Sequence, residues 1–201
     1  MKELYSYVSD ISKWSSLNFG DQKSKLMEYT VRIPISLGPL APLMGMVEEL
    51  GEFAEVYLCG DEGDDSDREE KIDDSLSDMF IYFCDYLARE NVPFALSNYT
   101  RISSLESEFE YFDDELRILT IAIGRLYHCT LKAHQGIRKF ADIKYYRKKR
   151  DSACKNVFVC LNAASVRQTG KCILTLAEKT WNETVSKRDW ATDPETGVAS
   201  E

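Results

Sequence analysis

Two segments, GMVEELGEFAEVYL at 45–58 and KIDDSLSDMFIYFCDYLARE at 71–90, repeat their apolar residues with the spacing of helices. At about 100° per residue, Glu48, Glu49, Glu52 and Glu55 share one arc of the first. Met46, Val47, Leu50, Phe53, Ala54 and Tyr57 fill the opposite arc. In the second, Asp74, Asp78 and Asp85 form a stripe, and Leu76, Met79, Phe80, Phe83 and Leu87 cover the rest. A helix apolar nearly all round is a buried helix. Ionised carboxylates in that setting need a cation or a metal beside them. A solvated face is the ordinary explanation of Glu48–Glu55; it fits the aspartate stripe less well, because its helix is apolar elsewhere.

The same pattern, read along the chain, predicts helices over about 42–58, 68–90, 94–102, 104–135, 150–168 and 171–189, with a weaker one over 1–18. NFGD and Pro34, Pro39 and Pro42 punctuate the first part. CGDEGDDSD at 59–67 reads as an acidic loop, Gly136 as a helix cap, IKYYRKKR at 143–150 as a solvated connector and residues 190–201 as a flexible tail. Strand signals are nearly absent. The expected fold is all-α: one domain over 1–201, a helical bundle built from two related helical hairpins around a shared core.

Composition narrows the partners. The net charge of −9 speaks against general nucleic-acid binding. No apolar run is long enough to span a bilayer, so neither nucleic acid nor membrane is an expected partner. The polar start, MKELYSYVSD, lacks a signal peptide's apolar stretch. Six cysteines without close pairing suggest reduced thiols in a cytoplasmic setting. With only His128 and His134, zinc and histidine-based di-iron sites are poorly supported.

Self-comparison suggests a repeat. LGEFAEVYL (50–58) aligns with IGRLYHCTL (123–131), Gly51 meeting Gly124, and DDSLSDMF (73–80) with RDSACKNV (150–157), Asp74 meeting Asp151. The repeats would span 42–90 and 104–189. At the acidic positions the second copy differs: Glu48, Glu49 and Glu52 become Ile121, Ala122 and Arg125, Asp78 becomes Lys155, and Asp85 becomes Asn162. Asp151 alone survives, with Arg125 and Lys155 as candidate pairing partners.

EELGE followed by DSLSD resembles the MazG-like all-α nucleoside triphosphate pyrophosphohydrolase superfamily, which includes the dimeric dUTPases. Its signature is EExxE on one helix and ExxD on the next, together binding magnesium. Glu48, Glu49 and Glu52 match the first motif. Ser75 stands at the usual glutamate position of the second, and Asp74, four residues before Asp78, is the nearest substitute, a DxxxD form that some relatives carry. KWSSLNFGD (13–21) and TWNETVSKRDWATDPETG (180–197) look like the flanks of a single-module subgroup. LKAHQGIR (131–138) looks like its LKxxQGIR segment, here following the second copy rather than the first. By itself LKAHQGIR also reads as an ordinary helix end, where Lys and Arg complement the dipole.

The resemblance implies a magnesium-dependent hydrolase, manganese substituting, that converts a (deoxy)nucleoside triphosphate to the monophosphate and pyrophosphate. Glu49, Glu52, Asp74 and Asp78 would ligate metal, and Glu48 would be a further ligand or orient the attacking water. Asp85, Lys132, Gln135 and Arg138 would contact substrate. Members commonly build their sites from two subunits, so the chain is expected to be a monomeric pseudo-dimer with one composite site, or to pair again as a homodimer. The alternative is a catalytically silent nucleotide-sensing or protein-binding member, motivated by Ser75 and the degenerate second half.

Overall fold

The computed structural model describes residues 39–59, 65–90, 92 and 114–183. Among them are six α-helices and no strand: α1 Leu40–Cys59, α2 Asp65–Arg89, α3 Glu115–His134, α4 Arg138–Ala141, α5 Ile143–Thr169 and α6 Ile173–Glu183. The all-α expectation holds for these residues. The expected helices over 1–18 and 94–102, the start of 104–135, the flank at 13–21, most of the flank at 180–197 and the tail lie outside them.

Helix limits follow local chemistry. The acidic loop expected at 59–67 gives way to helix already at Asp65, because carboxylates suit the positive end of a helix. α3 begins only at Glu115, where Asp114 accepts a hydrogen bond from the Arg117 amide at 3.0 Å. It closes in a Schellman turn: Gly136, at φ 65°, donates to Ala133 O and Ile137 to Lys132 O, each at 3.0 Å. IKYYRKKR is not a connector. Asp142 caps its amides at Lys144 and Tyr145, and the segment forms the first two turns of α5, burying Tyr146 and Arg150. Helical periodicity was hidden there by a run of lysine and arginine around one buried face.

Cross-links fix the packing. Tyr57 donates to Glu115 at 2.9 Å, which sets α1 antiparallel to α3. Gly45 lies against Tyr82, so that a Cβ there would sit 2.6 Å from the ring. This close approach sets α1 antiparallel to α2. Phe80 meets Phe158 at 6.1 Å and Glu90 meets Arg150, making α2 antiparallel to α5. Arg167 reaches Glu115, pairing α5 with α3 in the same sense. These four helices form a bundle, with α6 packed mainly on α2. One continuous core runs through it, including Leu43, Met46, Phe53, Leu76, Phe80, Phe83, Leu119, Leu126, Phe158 and Leu161. Each such side chain contributes about 1.5–3 kcal/mol of burial. Val47, expected in the apolar arc, is 48 % exposed, since it lies a full 100° from Met46.

Candidate functional site

α1 and α2 bring Glu48, Glu49, Glu52, Asp74 and Asp78 into mutual range. The decisive residue is Glu49. Burial pushes its pKa from 4.5 up to about 8, and Asp78, Glu52, Asp74 and Glu48 add to the rise in that order. The charged groups that add most to the rise are acids. Glu48, Glu52 and Asp74 are exposed, whereas Glu49 and Asp78 are half-buried. The face is therefore rooted in the groove between two helices and open at its rim. Burial first, and the neighbouring acids after it, favour the protonated form of Glu49.

Ser75 explains the departure at the second motif. Its side chain is buried, and its hydroxyl donates to Lys71 O at 3.0 Å. The position three before Asp78 thus points into the bundle, and Asp74, four before, joins the acidic face. Neighbouring Asp73 is drawn away instead, to Lys171 Nζ at 2.7 Å.

The remaining sequence candidates are not brought to this face by any described contact. Asp85 continues the stripe geometrically, but there α2 is covered. Asp85 is 2 % exposed, and Arg89 Nε donates to both its oxygens at 2.9 and 3.0 Å. That pairing gives Asp85 a cation partner one turn on in its own helix. Lys132 faces Gln135 at 3.5 Å, at the far end of α3. The Tyr57–Glu115 link puts Glu49 level with residue 123, so Lys132 lies about 13 Å further along the axis at 1.5 Å per residue. Arg138 lies beyond it, at the start of α4. The LKAHQGIR segment and the acidic face belong to different parts of one chain's bundle.

On α5, Asp151, which the expected repeat aligns with Asp74, pairs with Arg150 at 3.0 Å, not with Arg125 or Lys155, which are exposed. Arg150 also donates to Glu90 at 2.9 Å, and Tyr146 donates to the same Glu90 oxygen at 2.7 Å. Beside them Tyr86 and Thr130 hydroxyls meet at 2.8 Å. Apolar periodicity gives no sign of this network. Its one visible signal was a tyrosine and an arginine four residues apart, Tyr146 and Arg150, within a run of cations.

The acidic face offers hard oxygen donors, suited to magnesium or manganese. A dication would also relieve the repulsion acting on Glu49. Among the described residues no three His, Cys, Asp or Glu side chains form a ready-made cage; the fit is one of donor chemistry and charge. Four of the five described free cysteines are buried. Burial pushes Cys160 up to about 12 and raises Cys84, Cys129 and Cys154 as well, which leaves them poor nucleophiles. Comparison of the chain with protein-family models, curated proteins and solved structures gave no match.

Proposed function

We propose that the chain is a MazG-like nucleoside triphosphate pyrophosphohydrolase whose working centre is the α1–α2 acidic face. The observation that carries this reading is the raised pKa of Glu49 within a group of acids on facing helices. Carboxylates with a perturbed member, gathered on facing helices, are the arrangement expected of a ligand site. Glu49, Glu52, Asp74 and Asp78 would hold magnesium. When bound, the metal supplies Lewis acidity, drawing charge off phosphate oxygens and acidifying a water.

The chain's own part is positional. Glu48, exposed at the rim, orients the attacking water and accepts its proton. Attack in line at the α-phosphorus forms a new P–O bond. The bond to the bridging oxygen breaks, and pyrophosphate leaves with that electron pair. The groove of α1 and α2 fixes the carboxylates on rigid helices, which limits their reorganisation during the step. No described contact brings Lys132, Gln135 and Arg138 to this centre within one chain. In a site of the two-subunit kind they would come from a second copy. The α3–α5 hairpin is on this reading the diverged partner of α1–α2, its remaining aligned carboxylate, Asp151, paired with Arg150.

The silent, nucleotide-sensing alternative is favoured by one observation, the inward turn of Ser75 where a relative would place a ligand. Incubation with each dNTP and NTP plus magnesium, with pyrophosphate and orthophosphate resolved, separates the two. Monophosphate and pyrophosphate, lost in Asp78→Asn, support the enzyme. Nucleotide binding without turnover, in magnesium and in manganese, overturns it in favour of the sensor.

A further inference from the structure

We infer that the end of the bundle formed by α4 and the first turns of α5 docks on an anionic lipid surface. Between residues 132 and 150 stand eight lysines and arginines and a single acid, Asp142, in a chain of net charge −9. Arg150 is buried and paired. Arg138, Lys139, Lys144, Arg147, Lys148 and Lys149 are exposed, and none forms an ion pair with a described residue. The lone acid is engaged as the cap of α5. Among these cations Ile137 and Ile143 stand 43 % and 54 % exposed. Apolar side chains set among lysines and arginines are the composition of a surface that enters the headgroup region.

The tip is built to hold this shape. The Schellman turn at Gly136 and the Asp142 cap fix both flanks, and Arg138 is held at φ 28°, in a region L residues rarely adopt. The negative face of α1–α2 does not cancel the tip's field. Glu49 is already about 13 Å from the level of Lys132, beyond a Debye length of about 8 Å at physiological salt.

The isoleucines and the state of the rings favour lipid over single-stranded nucleic acid. A nucleic-acid platform needs free ring faces for stacking. Here His128 and Tyr145 meet Phe140 edge-on, at 5.8 and 5.3 Å, and Lys149 lies over Tyr145 at 5.8 Å. The rings are used up on one another, and exposed isoleucine gains nothing from a phosphate backbone. Attachment of this kind needs no spanning helix, and none of the described helices is long and apolar enough to be one.

The test is co-sedimentation of the full chain with vesicles of phosphatidylcholine alone or mixed with phosphatidylserine, at low and raised salt. Binding is expected only to the mixed vesicles, and salt should weaken it. The triple change Lys144→Gln, Arg147→Gln, Lys148→Gln should reduce it on the order of a hundredfold, from about fivefold per cation. Ile137→Ser with Ile143→Ser should weaken it severalfold, with helix content unchanged by circular dichroism. Absence of binding, equal binding to both vesicles, or indifference to the triple change overturns the inference. So does binding of a single-stranded oligonucleotide that the isoleucine changes leave untouched and vesicles fail to displace.

Discussion

The two long helical hairpins handle charge in opposite ways. On α1–α2, five carboxylates gather and one of them is pushed up to a pKa of about 8 by burial and its fellow acids. On α3–α5, the positions that align with them carry Ile121, Ala122, Arg125, Asp151 and Lys155. The surviving carboxylate there is neutralised by Arg150, which also satisfies Glu90 and stacks on Tyr146 at 5.5 Å. In the proposed repeat, Leu76 aligns with Ala153 and Phe83 with Cys160, all four buried, so the two pairs of helices differ in their charges more than in these core positions. A pair of helices of this kind therefore packs without clustered carboxylates.

Matched substitutions in the two hairpins should therefore diverge. Asp78→Asn should cut pyrophosphate release on the order of a thousandfold, about 4 kcal/mol of barrier, with an unchanged circular dichroism spectrum. Asp151→Asn should leave turnover within about twofold. Equal losses would erase the distinction.

Removing a carboxylate's charge should have opposite signs for stability. Glu90→Gln strips one of two ion partners from Arg150, whose side chain is 7 % exposed and which keeps Asp151, and should cost about 1–2 kcal/mol in urea unfolding. Glu49→Gln should stabilise the metal-free protein instead. The folded pKa of Glu49 lies above its unfolded value, so the folded state holds the proton more tightly. Its contribution is fully present below about 4.5 and is lost as pH rises through about 8. Discounted for screening at a half-exposed site, the gain in Glu49→Gln should be about 1–2 kcal/mol at pH 9 and near zero at pH 4. Thermal melts across that range check it.

The smallest effect tests what the hairpins share. Gly51 and Gly124 are both mid-helix, exposed and open around a would-be Cβ. Alanine at each should stabilise by about 0.5–1 kcal/mol. A loss at Gly51 alone would show that the acidic face uses the bare backbone there.

The sequence made the long helices legible because their buried stripes are apolar and uninterrupted. α1 and α2 fall within a few residues of their expected limits. It misread the start of α5, where the buried face is made of Tyr146 and Arg150 rather than aliphatic side chains. It placed Glu48, Glu49, Glu52, Asp74 and Asp78 correctly on facing arcs, since periodicity alone fixes azimuth. Periodicity says nothing of which charges find distant partners. Asp73 is taken by Lys171, 98 residues on, and Asp85 is buried under helices that its own segment does not reveal. The axial offset of Lys132 and Arg138 from the acids likewise depends on the α1–α3 register, which a tyrosine and a glutamate 58 residues apart determine.

The central claim is that the clustered acids of α1–α2 bind a divalent cation. Calorimetric titration of magnesium and then manganese into the wild type, Asp78→Asn and Asp151→Asn tests it directly. The account expects saturable binding in the wild type and Asp151→Asn, and its loss in Asp78→Asn. Equal binding in all three proteins, or none in any, would contradict it.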